Sequence, residues 1–582
     1  MSEYLFLCSI GPVQSFISQA RKTQDLYSGS LILSDLIDKA IKKLDTPDGL
    51  IFPHPKIESK PNRFIALIST DDPKRFGERI EKTVRDEFKA LAHNALKENG
   101  VADNHPNFDS QIENFLEVYW VAVPYDGNYL LKYGEIERSL GAVKNIRAFS
   151  QLDEQGRKCA LCGERNVLYY KPLDAKDKKA NILNPILIKE FQFIKGEGLC
   201  AVCCVKRFYE KKSFPSTARI ALMHTIYQIR RNPEGYVWWD QYITKFQDAH
   251  FEDQFYYEEN LTESYFKKYD LEKFTDQLHC IQKSREKIRD FAKTKNLKLS
   301  KYYAVVVFDG DSMGKWLSGE TIKDKQHLKE FHQTLSGLLG EFAEFSKNYL
   351  TDPLGKAVYT GGDDFLGFVN LNHLFDVLDK LRKEFEIKVN NPLAKEFPFK
   401  SSDDRITFSA GVAIAHYKMP LSIVLERARA MEKQAKSVNG KDAVGFALLK
   451  HSGNISETVF KWNYDSENTM ELMKDVKHAL KNWISDKFMY SLREEFLHLF
   501  DEETGIEPDI VEAEIYRLMA RRKRKTDISE EEIKALRDRL VNLFGQLKNI
   551  DCSDLSNFLS FLEVCNFIAR ETNAKEANHE TP

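Results

Sequence analysis

The stretch that most restricts the fold is a buried strand followed at a distance by an acidic hairpin. Tyr303–Phe308 is a continuous apolar run with three valines, as in a strand covered on both faces. It ends in Asp309-Gly310-Asp311. The amphipathic segment IKDKQHLKEFHQTLSGLLGEFAEFSKNYL then reads as a helix. In YTGGDDFLGF, residues 359–368, short apolar runs flank Gly361, Gly362, Asp363 and Asp364, the pattern of a hairpin with acid at its tip. A helix (LNHLFDVLDKLRKEFEIKV), a strand (RITFSAGVAIAHY), a helix (PLSIVLERARAMEKQAKSV) and a strand (AVGFALL) complete the unit. The order β-α-β-β-α-β, with a further helix and strand, is the split βαβ, ferredoxin-like arrangement.

Aspartate and glycine are ordinary turn residues, so the hairpin alone reads equally well as structure. The strand order tips the balance. In an antiparallel ferredoxin-like sheet the end of strand one meets the turn between strands two and three. Asp309 then lies beside Asp363 and Asp364, although 54 positions separate Asp309 from Asp363. Three clustered carboxylates repel without a cation, and two divalent ions roughly 3.5–4 Å apart would relieve that and clamp a phosphoryl transfer. Gly361 and Gly362 allow a tight turn and a close approach of triphosphate to the backbone. Magnesium favours few carboxylates plus substrate phosphates. Metal-nucleotide chemistry is the favoured reading; a structural turn is the alternative. Lys436, near the end of the last helix, reads as a phosphate contact or as a solvated lysine.

A second constellation is Cys159-Ala-Leu-Cys162 and Cys200-Ala-Val-Cys203, two CxxC pairs 37 residues apart. This matches a tetrahedral four-thiolate zinc site, structural because no coordination position stays open. A redox pair is the alternative, and Cys204 is a fifth possible ligand. Cys8, Cys280, Cys552 and Cys565 are scattered and read as small core residues. At the start, residues 4–10 form a strand, and one helix is expected from near Pro12 through IDKAIKKL. The junction Ile10-Gly11-Pro12 could place backbone N–H groups before an anion, with Gln14, Ser15 and Ser18 touching a nucleotide. Ordinary helix initiation explains the same residues. RFIALIST and VYWVAVPY are further strands, with a helix from about Pro73 between them.

At 582 residues the chain exceeds one core. We expect an α+β protein with an α/β unit over 1–150, a cysteine-bearing insertion and helical connector over 151–300, the acidic α/β unit over 301–455 and a helical domain over 456–582, ending in a disordered polar tail. Net charge is −3, so any nucleic-acid surface must be a local patch. Arg521–Lys525 is one, although a solvated helix face balanced by the following ISEEEIK is the favoured reading. No secretory signal or membrane-spanning run is visible, and a cytoplasmic location is expected. No His-Asp dipeptide, GxxxxGK[ST] loop or HExxH motif occurs.

In order along the chain, IGPVQSFISQARKTQDLYSGSLILSDLI, PNRFIALIST, CALCG…EGLCAVCCVKR, AVVVFDGDSMGKWLSG, YTGGDDF and FSAGVAIAHYKMPLSIVLERARAMEKQAKS resemble the large subunit of type III-B (Cmr) CRISPR effector complexes. The resemblance spans roughly residues 1–450. It implies two ferredoxin-like polymerase/cyclase palms, a zinc-binding insertion, a helical connector and a C-terminal helical domain. It implies other Cmr subunits, crRNA and target RNA as partners, and no membrane. It implies that the second palm uses ATP and Mg2+ or Mn2+ to make cyclic oligoadenylate once target RNA is bound. Asp363, Asp364 and Asp309 would hold the metals, with the Gly310 carbonyl. Many members begin with an HD nuclease domain; the first palm starting at residue 4 leads us to expect none here. Members of that form join AMP to another acceptor such as S-adenosylmethionine, which is the alternative product. A stand-alone diguanylate or adenylate cyclase and a catalytically silent scaffold are the rival readings.

Overall fold

A computed structural model describes residues 2–44, 49–55, 57–146, 156–174, 177, 182, 184–189, 192–210, 214–246, 251–401, 404–464, 467–485, 487–500, 506–524, 528–547 and 554–573. Two sheets organise it. The first unit runs β1 (Ser2–Gly11), α1 (Gln14–Ser18), α2 (Thr23–Ile41), β2 (Leu50–Phe52), β3 (Arg63–Thr70), α3 (Pro73–Glu98), α4 (Phe108–Glu113), β4 (Glu117–Pro124) and α5 (Tyr129–Asn145). Its strands lie in the order β2-β3-β1-β4, all antiparallel. This is the ferredoxin-like order. Helix α3 starts where Asp72 accepts a hydrogen bond from the Arg75 N–H with Pro73 in the first turn.

The single long helix expected after Pro12 is two helices. Lys206 donates to the carbonyls of Phe16 and Gln19, drawing off the end of α1. The Asp25 carboxylate accepts from the N–H groups of Arg21 and Lys22 and so starts α2. Helical periodicity continues through the break, which is why the sequence pattern hides it.

The insertion holds β5 (Tyr169–Tyr170), β6 (Ile186–Leu187) and β7 (Gly198–Leu199), in the order β6-β5-β7, followed by α6 (Ala201–Phe208). Connecting helices α7 (Thr217–Arg231), α8 (Pro233–Ile243), α9 (Glu263–Lys268) and α10 (Leu278–Thr294) follow. The Asn370 side chain ties α7 to the second sheet by donating to the carbonyls of Ile220 and Ala221.

The second unit runs β8 (Tyr302–Gly310), α11 (Met313–Leu317), α12 (Leu328–Tyr349), β9 (Gly355–Thr360), β10 (Asp364–Val369), α13 (Leu374–Phe385), α14 (Asn391–Glu396), β11 (Phe408–His416), α15 (Leu421–Ser437), β12 (Ala443–Leu449) and β13 (Ile455–Lys461). The sheet order is β13-β12-β11-β8-β10-β9, parallel only between β11 and β12. The four strands β11-β8-β10-β9 repeat the order of the first unit. At the centre, Phe308 stacks between Phe365 and Phe408, with ring centroids 4.7 and 4.3 Å away.

The expectation of a helical domain over 456–582 is corrected at its start by β13, and by the short pair β14 (Asn463–Tyr464) and β15 (Glu467–Asn468). ISETVFK alternates too briefly to announce a strand; pairing with β12 and cover from outside make it one. Helices α16 (Thr469–Asn482), α17 (Lys487–Leu499), α18 (Pro508–Arg521), α19 (Glu530–Leu547) and α20 (Asp554–Glu571) close the chain. Asn557 of α20 accepts from the Val459 N–H and donates to its carbonyl, capping the edge strand. Arg524 donates to the carbonyls of Leu480 and Lys481, so part of the basic run serves the helix ends; Lys525 lies outside the described residues. Thr572 and Asn573 of the expected disordered tail are buried, and residues 574–582 lie outside the described residues. Cys8 and Cys565 are buried as expected, Cys280 is exposed, and Cys552 lies outside the described residues. Cys280 sits on the solvent side of α10, a position its spacing from Ile281 and Ile288 leaves off the apolar stripe.

Candidate functional site

The strand-end aspartate and the hairpin meet. β8 and β10 pair antiparallel with Asp309 directly opposite Asp364. Asp363 sits in the turn that joins β9 to β10, closed by a hydrogen bond from the Gly361 N–H to the Asp364 carbonyl at 2.9 Å. Close packing demands two of the glycines. A Cβ on Gly361 would fall 1.9 Å from the Tyr359 hydroxyl and 2.2 Å from Asp364 Oδ1. A Cβ on Gly310 would fall 2.7 Å from Met313 and 3.1 Å from the Asp363 side chain. The turn itself uses the left-handed region at Gly362, φ +111°.

Burial, and then the Asp309 carboxylate, push Asp363 up from 3.8 to about 6; a backbone hydrogen bond, Arg63 and Lys436 oppose the rise. Burial, then Asp363 and Asp309, hold Asp364 well above its ordinary range, with a hydrogen bond from Tyr359 working the other way. Burial works against the charge of Lys436, but its hydrogen-bonded ion pair with Asp309 raises its pKa. Such crowding of acid is costly unless a cation shares it. Asp309 at the end of β8, Asp363 in the turn and Asp364 at the start of β10 offer the oxygen donors a hard divalent ion takes, although among the described residues only the four cysteines already bring their ligand atoms within 4.8 Å of one another.

Asp311, two residues beyond Asp309, has a different task. It is buried, and its carboxylate accepts from Thr407 at 2.8 Å, Ser409 at 2.9 Å and the Asp442 N–H at 3.1 Å. It fixes the strand end against β11 and the loop before β12, and thereby the position of Asp309.

Asp363 and Asp364 face a cavity between the two sheet units. The second unit contributes Tyr359, Gly361, Leu335 and Leu339; the first contributes Phe52, Asn62, Arg63 and Tyr133. The His54 N–H donates to Ser336 of α12, and Tyr129 of α5 bonds His332 of α12, so the two units are docked through α12. Lys436 pairs with Asp309, and neither is among the residues that line the cavity. Gln14, Ser15 and Ser18 do not line the cavity. Gln14 and Ser15 are exposed, and Ser18 bonds the Ser15 carbonyl. Their helix is anchored to α6 through Lys206. The first-unit groups at the cavity are instead Asn62 and Arg63, at the start of β3. The signal available for them was the "PNRF" stretch, a polar pair leading into a buried strand.

Cys159, Cys162, Cys200 and Cys203 converge, with all sulfurs within 4.8 Å of one another and Cys162 Sγ 3.8 Å from Cys200 Sγ. Zinc–sulfur bonds of about 2.3 Å in a tetrahedron give sulfur separations of about 3.8 Å. Backbone N–H groups of Leu161 and Cys203 point to Cys159 and Cys200. Cys204 is buried and is not one of the four. Directly after the last ligand pair, Lys206 and Arg207 plunge into the first unit. Arg207 pairs with Asp25 and Glu197, all three buried.

Sequence comparison places these features. The family model for Cas10/Cmr2, second palm domain, matches residues 302–445, and that for CRISPR-associated protein Cmr2, N-terminal, matches residues 5–93. The CRISPR system Cmr subunit Cmr2 of Pyrococcus furiosus is 25% identical over 675 aligned positions, covering 94% of this chain and 71% of that protein. A type III-B Cmr-beta complex in the apo state contains a chain that superposes with a TM-score of 0.67 at 14% identity, covering 98% of this chain and 82% of that one. A chain of Cmr-beta bound to cognate target RNA gives 0.64 at 14% identity, covering 97% and 83%. Those two likenesses speak to the fold. Two palm sheets, a four-cysteine knuckle and family matches over residues 5–93 and 302–445 support Cmr2, the large subunit of type III-B CRISPR effector complexes, as the family this chain resembles.

Proposed function

We propose that this chain is an ATP-dependent nucleotidyltransferase that makes a cyclic oligoadenylate messenger in a Cmr complex once crRNA has paired with target RNA. The observation that carries the reading is the register of Asp309 opposite Asp364, with Asp363 and Asp364 open to a cavity walled by both sheets. Asp309, Asp363, Asp364 and the Gly310 carbonyl would hold Mg2+ or Mn2+, which when bound would offset the carboxylate charge and polarise a phosphoryl group. Lys436 orients Asp309 and supplies positive charge beside it. Gly361 and Gly362 keep the turn free of side chains where phosphates approach. The 3′-oxygen of one nucleotide bonds to the α-phosphorus of the other, pyrophosphate leaves, and the hydroxyl proton passes to solvent. Other Cmr subunits and RNA are the partners of this reading; a Cmr-beta relative is bound to cognate target RNA. Among the described residues no helix is long and apolar enough to cross a membrane.

One observation favours a second acceptor. Apart from Arg63 the first-unit wall is apolar or neutral, which suits a less charged molecule than ATP, such as S-adenosylmethionine, receiving AMP at the same site. The test is the assembled complex with matching target RNA, magnesium and labelled ATP, with and without S-adenosylmethionine. Oligoadenylate from ATP alone supports the first reading. A product that needs the second compound supports the alternative. No turnover in either reaction identifies a silent scaffold and ends both.

A further inference from the structure

Of the described residues lining the cavity, Arg63 is the one that carries a positive charge. His332 also reaches it, but burial lowers its pKa to about 4. Its Nε2 donates to the Leu317 carbonyl at 2.9 Å, so Nδ1 accepts from the Tyr129 hydroxyl and the ring is neutral. Arg63 opens β3 opposite Ser9. Glu137 of α5 engages its Nη1 at 3.1 and 3.4 Å, and the Phe52 ring lies 6.0 Å from the guanidinium carbon. Both carboxylate contacts fall on one nitrogen, which leaves guanidinium N–H groups for a second acceptor. The Arg63 side chain is 30% exposed and lines the cavity. An arginine held from behind by a carboxylate and faced by open space is arranged to fork an incoming oxyanion.

We propose that Arg63 binds the oxyanion of the acceptor molecule across the cavity from Asp363 and Asp364. This rests on the nucleotidyltransferase reading above. The aspartates and Lys436 serve the molecule whose phosphorus is attacked; Arg63 serves the one that brings the hydroxyl. That oxyanion is a phosphate when the acceptor is a second ATP and the carboxylate when it is S-adenosylmethionine. Apolar neighbours Phe52, Ile65, Leu335 and Leu339 leave the rest of the wall suited to a base and sugar.

The experiment uses the assembled complex with target RNA and three variants of this chain, Arg63→Ala, Arg63→Lys and Arg63→Gln. Arg63→Gln can still bond Glu137 and guards against a folding defect. Equilibrium titrations use α,β-methylene ATP with magnesium in one arm and S-adenosylmethionine in the other. Loss of a charge-assisted pair of hydrogen bonds weakens binding roughly 10–100-fold. In the ATP arm one of two sites weakens by that factor in the alanine and glutamine variants, and lysine restores part of it. The site that Asp363→Asn disables keeps its affinity. In the S-adenosylmethionine arm the single site weakens if that compound is the acceptor. Wild-type affinity in both arms, or weakening confined to the aspartate-dependent site, overturns the proposal. If Asp363→Asn leaves turnover intact, the reaction assigned to the site is wrong, a result separate from what the titrations read for Arg63.

Discussion

Removing one charge from the hairpin should make the metal-free protein more stable. Asp363 has its carboxyl moved from 3.8 to about 6 by burial and by Asp309. A tenfold change in proton affinity is worth about 1.4 kcal/mol, so the ionised carboxylate at neutral pH costs ~3 kcal/mol in the folded state. Partial solvent access at the turn reduces this to about 2 kcal/mol. Asparagine keeps the shape and loses the charge. In EDTA at pH 7, Asp363→Asn should therefore raise the melting transition of the second sheet unit by ~4–8 °C. The sign with pH follows from the direction of the shift. The folded state binds more protons than the unfolded chain between about pH 4 and 6, so wild-type stability falls as pH rises through that window, and the asparagine variant loses much of that slope. Magnesium or manganese should reverse the order, raising the wild-type transition and leaving the variant nearly unmoved, with metal affinity in the wild type climbing as pH passes about 6. The assay is differential scanning fluorimetry across pH with EDTA or metal. A variant that melts at or below the wild type in EDTA, with an unchanged pH slope, would refute the reasoning that like charges strain this hairpin.

Gly310→Ala should cost about 1–3 kcal/mol from the forced displacement of Met313 and Asp363, and should weaken metal binding as read by calorimetry, because its Cβ lands on the Asp363 side chain. Cys200→Ser should remove one equivalent of zinc by elemental analysis and lower the melting transition of the first unit as well, since Cys200 caps α6, which carries Cys203 and the Lys206 and Arg207 anchors. Asp25→Ala should destabilise by about 3–5 kcal/mol in chemical denaturation, because it strands the buried Arg207 with Glu197 alone. Phe308→Ala should cost about 3–5 kcal/mol through the cavity it opens between Phe365 and Phe408, and should lower metal affinity by loosening the strand that carries Asp309.

The features legible in the sequence are those whose partners a local pattern or a known strand order supplies. Asp309 could be set beside Asp363 and Asp364 because the β-α-β-β order fixes which strand ends meet. The cysteines could be grouped because each pair sits on one knuckle. Arg63, Tyr133 and His332 could not be found this way. They meet only when the two sheets dock, and docking is set by α5, α12 and the loop near His54 acting together. Gln14, Ser15 and Ser18 carried a plausible helix-start pattern, but Lys206, far along the chain, decides where that helix ends and what it packs against. Asp311 lies two residues beyond Asp309 in the same acidic strand end, and only its three hydrogen-bond partners show it to be a brace. The β13 strand, too, owes its form to a neighbour, since Asn557 satisfies its outer backbone groups.

The two sheets share one strand order, and the loop between β2 and β3 in the first corresponds to the acidic turn between β9 and β10 in the second. Residues at the ends of both connections line the same cavity. A single polypeptide thus carries both jaws of the cleft, one acidic and one bearing a guanidinium, joined through the insertion and connector. The jaws cannot drift apart on dilution, so the specific activity proposed for the intact assembly should be flat with concentration.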